Sequence, residues 1–263
     1  MRRLRTLLFL AALGLLACGA RAEEPTAPAP RAPEAAIGVI ATPTAAQAKA
    51  SSLAWLAEQK AGAEVVAKAE EIWKNESQPT LDRVVQTLTL AKPEVSKLLA
   101  ELRDEKSPRP TEMPALLKDS KPGFFRANVG LAAAKALVDR HLYEEGLAAL
   151  RAIQPEQVVD PSSYYFCRAV CENRLLFKDD GLKSIHRLLV SIPEAPERHK
   201  AVAALMQDEM EKWEDQDLAY VARRMQEIEG RLDNGRGGPK TQEKQKEVVD
   251  LLDKMIEDLE KQC

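Results

Sequence analysis

The chain of 263 residues is poor in the side chains that most often carry chemistry. It has 3 histidines and 4 cysteines, and aromatics make up 5% of it. So few cysteines build no disulfide framework. Cys167 and Cys171 lie four apart on one expected helix, where an intrahelical bridge would be strained and no C-x-x-C partner offers a zinc site. They read as two small core residues, with a reversible redox pair as the alternative. Cys263 is left as an odd thiol, or as a link between chains. The C-x-x-C-H signature is absent, which argues against attached haem. Signatures of zinc proteases, serine hydrolases, phosphate-binding loops and calcium loops are absent too. No cofactor, no metal ligand set and no catalytic residue are therefore expected. His141, His186 and His199 each lack a neighbouring nucleophile in sequence, so the chain is not expected to be an enzyme. Alternating β-branched runs are also missing, which points away from a sheet.

Charge of one sign is lacking as well. The formal net charge is −3. Without the first 22 residues the 38 basic side chains fall by four, Arg2, Arg3, Arg5 and Arg21, leaving 34 against 41 acidic ones, a net charge of −7. An acidic chain without a basic patch excludes nucleic acid as the expected partner. Beyond residue 22 no apolar run is long enough to cross a bilayer.

What is present starts with an export signal over residues 1–22. Arg2, Arg3 and Arg5 precede a short apolar run, and Ala20, Arg21 and Ala22 form an A-x-A cleavage site. The alternative is a lipoprotein box at Leu15–Gly19, with lipidation of Cys18 anchoring the chain to a membrane. A periplasmic or secreted location follows from the first reading. Residues 23–44 form a Pro/Ala-rich tether that cannot bury enough surface to order itself. Residues 45–105 read as N-terminal helices, with Gly62 as a break and Pro79 and Pro93 opening a hairpin. Residues 106–122, with four prolines, read as a loop containing one helical turn at 113–118.

The strongest internal signal is a phrase that occurs twice, at 142–153 and at 177–188. Leu142 matches Phe177, Gly146 matches Gly181, Leu147 matches Leu182, Leu150 matches Ile185 and Ile153 matches Leu188, each 35 residues on. A helical segment precedes each copy, 124–140 and 162–177. The apolar face of 162–177 runs one residue out of step with the earlier one, which predicts an insertion before Lys178. Helices are expected next at 197–213 and 215–233, with apolar faces Val202, Leu205, Met206, Met210, Trp213 and Leu218, Val221, Met225, Ile228, Leu232. A Gly-rich break covers 234–239, and the last helix, 240–263, carries Val248, Leu252, Met255 and Leu259 at coiled-coil spacing. That helix either docks on the bundle or pairs two copies into a homodimer.

The doubled unit resembles the tetratricopeptide repeat, a helix–turn–helix of period near 34. Ala134 and Ala169, Gly146 and Gly181 fall at the family's small positions, Tyr143 at its turn aromatic and Pro193 at its terminator. Gly130 stands where the first unit's opening aromatic belongs, and Ile153 and Leu188 where a late alanine belongs. The chain otherwise resembles secreted bacterial helical proteins that carry no known activity. The resemblance implies an all-α, right-handed stack of antiparallel helix hairpins over 123–233 with a long C-terminal helix. It implies a protein or peptide partner held on the first helix of each unit, at Lys135, Asp139, Tyr165, Glu172 and Asn173. The expected function is non-catalytic protein–protein interaction in the periplasm or envelope. An assembly component that self-associates through its last helix is the alternative.

Overall fold

A computed structural model describes residues 38–110 and 112–261. The expected signal, Cys18, most of the tether and Cys263 lie outside them. The described residues form twelve α-helices and no strand. The N-terminal four are α1 (Ala45–Glu58), α2 (Ala63–Lys74), α3 (Thr80–Ala91) and α4 (Glu94–Arg103). A single turn, α5 (Ala115–Lys118), interrupts the proline-rich loop. Then come α6 (Phe124–Asp139), α7 (Tyr143–Arg151), α8 (Pro161–Arg174), α9 (Lys178–Ser191) and α10 (Glu197–Glu211). The last two are α11 (Leu218–Asp233) and α12 (Pro239–Glu260).

Local chemistry sets these boundaries. Thr44 caps α1 in a reciprocal box with Gln47. Asp160 accepts from the Ser163 N–H at 2.9 Å, with Pro161 in the first turn of α8. Asp217 caps α11 in the same way through Tyr220. The N-terminal apolar run resolves into two helices, and Gly62 caps the second.

The doubled phrase is a repeated backbone turn. At the end of α6, His141 adopts φ +59°, its N–H donates to the Val138 carbonyl at 2.9 Å, and the Leu142 N–H donates to Leu137 at 2.9 Å. At the end of α8, Leu176 adopts φ +59°, its N–H donates to Asn173 at 3.0 Å, and the Phe177 N–H donates to Glu172 at 2.8 Å. Both are Schellman turns, which return the last carbonyls of a helix to partners and reverse the chain at once. Gly146 and Gly181 then follow at equivalent places. A Cβ on Gly146 would meet Val138 Cγ2 at 3.1 Å, and one on Gly181 would meet Met210 Cε at 2.5 Å, so both glycines sit in close helix contacts.

This pattern corrects one expectation: no residue is inserted before Lys178. The hydrogen bonds match at a constant offset from Leu137 and Glu172 through Gly146 and Gly181. The apparent slip arises because Glu172 occupies the place of Leu137. Leu137 is 2% exposed and Glu172 is 0% exposed. A carboxylate at a core position breaks the apolar period and mimics a shifted register. It is held by Ser184 Oγ at 2.6 Å and Arg168 Nε at 2.9 Å, which supply the partners a buried charge requires.

Helices α6 to α10 pack each on the next, and α6 also meets α8, as α8 meets α10. Helices α1, α3 and α4 cover the other side of α6, where Trp55 stacks on Phe125 with centroids 5.1 Å apart. The loop before α6 is tied down by Arg140, whose guanidinium donates to the Ser107 carbonyl at 2.6 Å. Ile40, at the end of the expected tether, donates its N–H to the Ser191 carbonyl at 2.7 Å.

Helices α11 and α12 pack on each other around Val221, Ile228 and Val248, a cluster separate from the main core. Charge attaches them to the rest. Arg231 and Arg236 meet Glu144 at the start of α7, the latter pair at 2.5 Å, and Arg236 also meets Glu145. Lys240 approaches Glu144 at 3.6 Å and Arg109 approaches Glu145 at 3.7 Å. Val202 at 42% and Leu205 at 72% exposure belong to the expected apolar face of α10, and Leu218 at 71% to that of α11. Those stripes are therefore only partly covered.

Candidate binding groove

Because α11 is held near α7 mainly at its C-terminal end, a groove opens between α8, α10 and α11. Its volume is about 610 Å3. Val170 and the turn residues Leu175 and Leu176 line one side, Val202, Met206 and Trp213 a second, and Arg223 and Gln226 a third. These positions follow from helical spacing: 202, 206 and 213 share a face of α10 and its extension, as 223, 226 and 230 share a face of α11. The His141–Tyr143 turn closes one end, with the two rings stacked at 5.8 Å. Burial raises the Tyr143 hydroxyl above its ordinary range, so it stays a neutral donor.

The polar groups of the groove are distinctive. The Asn173 side-chain N–H and the Trp213 indole N–H are enclosed and have no hydrogen-bond partner among the described residues. Arg174 is exposed on the rim beside the Tyr143 hydroxyl. Arg223 lies over the Trp213 ring at 5.0 Å. An exposed guanidinium beside a partly apolar floor favours an acceptor-bearing, partly apolar ligand such as a polypeptide segment. Glu209, Glu229 and Asp233 add acidic groups to the lining, so the groove carries both signs.

Of the five residues expected to contact a partner, Asn173 alone lines this groove. Glu172, its neighbour, points into the core and cannot touch a surface ligand. Tyr165 is 9% exposed and packs edge-on against Tyr164 at 5.0 Å. Lys135 is half-buried and Asp139 is exposed, and neither reaches the groove. Val202, Met206 and Trp213 were legible only as a helix face. Nothing in sequence separates an apolar stripe that is covered from one that is left open.

Cys167, Cys171, Ser162 and His199 are enclosed, and His186 is exposed. Burial pushes the Cys167 thiol up to about 12 and raises Cys171 as well, so both stay protonated. This fits packing residues, as expected. The fold does bring one histidine to a hydroxyl: His199 Nδ1 lies 2.8 Å from Ser162 Oγ, 37 positions away. Ser162 is 3% and His199 8% exposed, and Phe166 stacks on the imidazole at 4.4 Å. Burial lowers the basicity of His199, against the opposing pull of Asp160. The contact joins α8 to α10 inside the core and does not line the groove. A second cavity of about 220 Å3 lies under the proline-rich loop, between Met113, Leu117, Leu137 and Ala148. Among the described residues no three metal-ligating side chains converge, and no helix is long and apolar enough to cross a membrane. Comparison with protein-family models, curated proteins and solved structures finds no match to this chain.

Proposed function

We propose that the chain is an exported, non-catalytic binding protein that holds a polypeptide segment of a partner protein in the groove between α8, α10 and α11. In this reading α6 to α10 form a tetratricopeptide-like, right-handed stack of antiparallel hairpins in the periplasm or envelope, and α11 forms the far wall of the groove. The observation that carries it is the groove floor, where the exposed Val202 and the half-buried Met206 and Trp213 lie beside the exposed Arg174 of the rim. A carboxylate or backbone carbonyl meets Arg174 on the rim, and an apolar side chain covers the floor. The repeated turn at 141 and 176 supports the stack, since it gives two helix pairs the same exit geometry. The enclosed thiols and the enclosed Ser162–His199 contact support a role without catalysis.

Selection from a displayed peptide library followed by titration against tryptophan fluorescence tests this. Trp55 and Trp73 are buried, at 8% and 6% exposure, so Trp213 is the responsive reporter. A selected peptide should shift the emission, and Trp213→Phe should abolish the shift. Met206→Glu and Asn173→Glu should each weaken binding by about tenfold or more. Peptides that lose affinity on Lys135→Glu and Asp139→Lys but tolerate both groove changes would refute the groove.

A further inference from the structure

The geometry points to a second copy of this chain as the occupant of the outer face of the α11–α12 hairpin, with α12 antiparallel to its counterpart across a two-fold axis. The hairpin has two sides. On one, Lys244 and Arg224 reach Glu227 at 2.9 and 2.8 Å, and Arg224 also approaches Glu247 at 3.7 Å. On the other lie two apolar lines at seven-residue spacing, which return to the same face every two turns. Leu218, Met225 and Leu232 form the first, at 71%, 55% and 46% exposure. Val249 and Ile256 form the second, each 54% exposed. On the helical wheel both lines fall on the flank away from the Glu227 ion pairs, so the two helices present one shared apolar face. It is separate from the groove, which uses the Arg223, Gln226 and Gly230 face of α11.

Charge identifies what covers it. From Pro239 to Val248, α12 carries Lys240, Lys244 and Lys246 against Glu243 and Glu247. From Val249 to Glu260 it carries Lys254 alone against Asp250, Asp253, Glu257, Asp258 and Glu260. The helix is thus basic in its first half and acidic in its second. Two copies side by side in the same direction set like charges together, whereas the antiparallel arrangement sets each basic half against an acidic half. With Val249 of one copy against Ile256 of the other, Lys246 falls beside Glu260 of the second copy. Lys246 and Glu260 flank the apolar line on its outer edge, as rim charges of a helical interface do. A self-complementary patch of this kind is what a two-fold interface requires. Four lysines against seven acidic residues make α12 a poor match for an anionic membrane surface.

Sedimentation equilibrium of the intact protein across a range of concentrations tests the assignment, with circular dichroism confirming that helix content is unchanged in each variant. A dimer is expected. Met225→Glu and Ile256→Glu, both on exposed sites, should weaken it about a hundredfold. Lys246→Glu should weaken it about tenfold, and the double change Lys246→Glu with Glu260→Lys should restore it, since each two-fold pair is then reversed rather than repelled. A monomer at every concentration overturns the proposal. So does a dimer indifferent to the Met225 and Ile256 changes, or one that the double charge change fails to restore. A monomer that co-sediments with phosphatidylglycerol vesicles would assign the face to lipid instead. None of these variants lines the groove, so peptide binding measured on them separates failure of this interface from failure of the groove.

Discussion

At the scale of the residue, Glu172 shows how one side chain can disguise a repeat. It stands where Leu137 stands one unit earlier, and Arg168 stands where Ala133 does. An ion pair and a serine hydroxyl thus take the place of an apolar contact. Such a carboxylate is tolerable in the core only while its donors remain. Ser184→Ala removes the 2.6 Å donor without filling its volume. Thermal or denaturant unfolding should register a loss of about 1.5–3 kcal/mol, the range for a hydrogen bond to a charged group. A loss below about 0.5 kcal/mol would mean that Arg168 satisfies the carboxylate alone. Asn173, the next residue, was expected at a partner surface because the repeat resemblance marks the first helix of each unit, and it lines the candidate groove. Its neighbour was misplaced because burial of an acid leaves no trace in a sequence.

At the scale of the element, proline, glycine and apolar spacing made most helices legible. Thr44, Asp160 with Pro161, and Asp217 mark starts by supplying acceptors for otherwise unpaired N–H groups. The ends were less visible, because three of the left-handed C-terminal positions are not glycine. Lys60, His141 and Leu176 adopt φ of +56°, +59° and +59°, and only Gly235 uses the residue that favours it. Lys60 is exposed; its N–H donates to the Ala57 carbonyl and the Ala61 N–H donates to the Leu56 carbonyl, which closes the end of α1. Lys60→Gly relieves the left-handed conformation at a site with no side-chain packing to lose. It should raise stability by about 1 kcal/mol, read as a higher unfolding midpoint at unchanged m-value. No change, or a fall, would show that the unfolded chain gains as much freedom from glycine as the turn gains in comfort.

At the scale of the whole molecule, the junction between the α11–α12 hairpin and α7 is electrostatic. Arg231 and Arg236 are 8% and 10% exposed at the side chain, while Glu144 is 30% exposed. Among the described residues, removing the carboxylate leaves the largely enclosed Arg231 guanidinium without an acidic partner and Arg236 with Glu145 alone. Glu144→Gln should lower the free energy of local opening across α11 and α12 by about 1–3 kcal/mol, measured by native-state hydrogen exchange. Protection in α6 to α9 should be unchanged, and uniform loss throughout the chain would contradict a junction held locally by this carboxylate. The sequence by itself determined the helical class, the doubled turn and the apolar stripes, because these depend on proline, turn residues and periodicity within a few residues. Only the tertiary structure decided which stripes stay open, that Glu172 is enclosed, and that Ser162 meets His199. Those outcomes depend on where helices far apart in the chain come to rest. The groove belongs to the same class: α8 and α10 bring its floor, but its far wall exists because Glu144 and Glu145 hold two arginines from about 90 residues downstream.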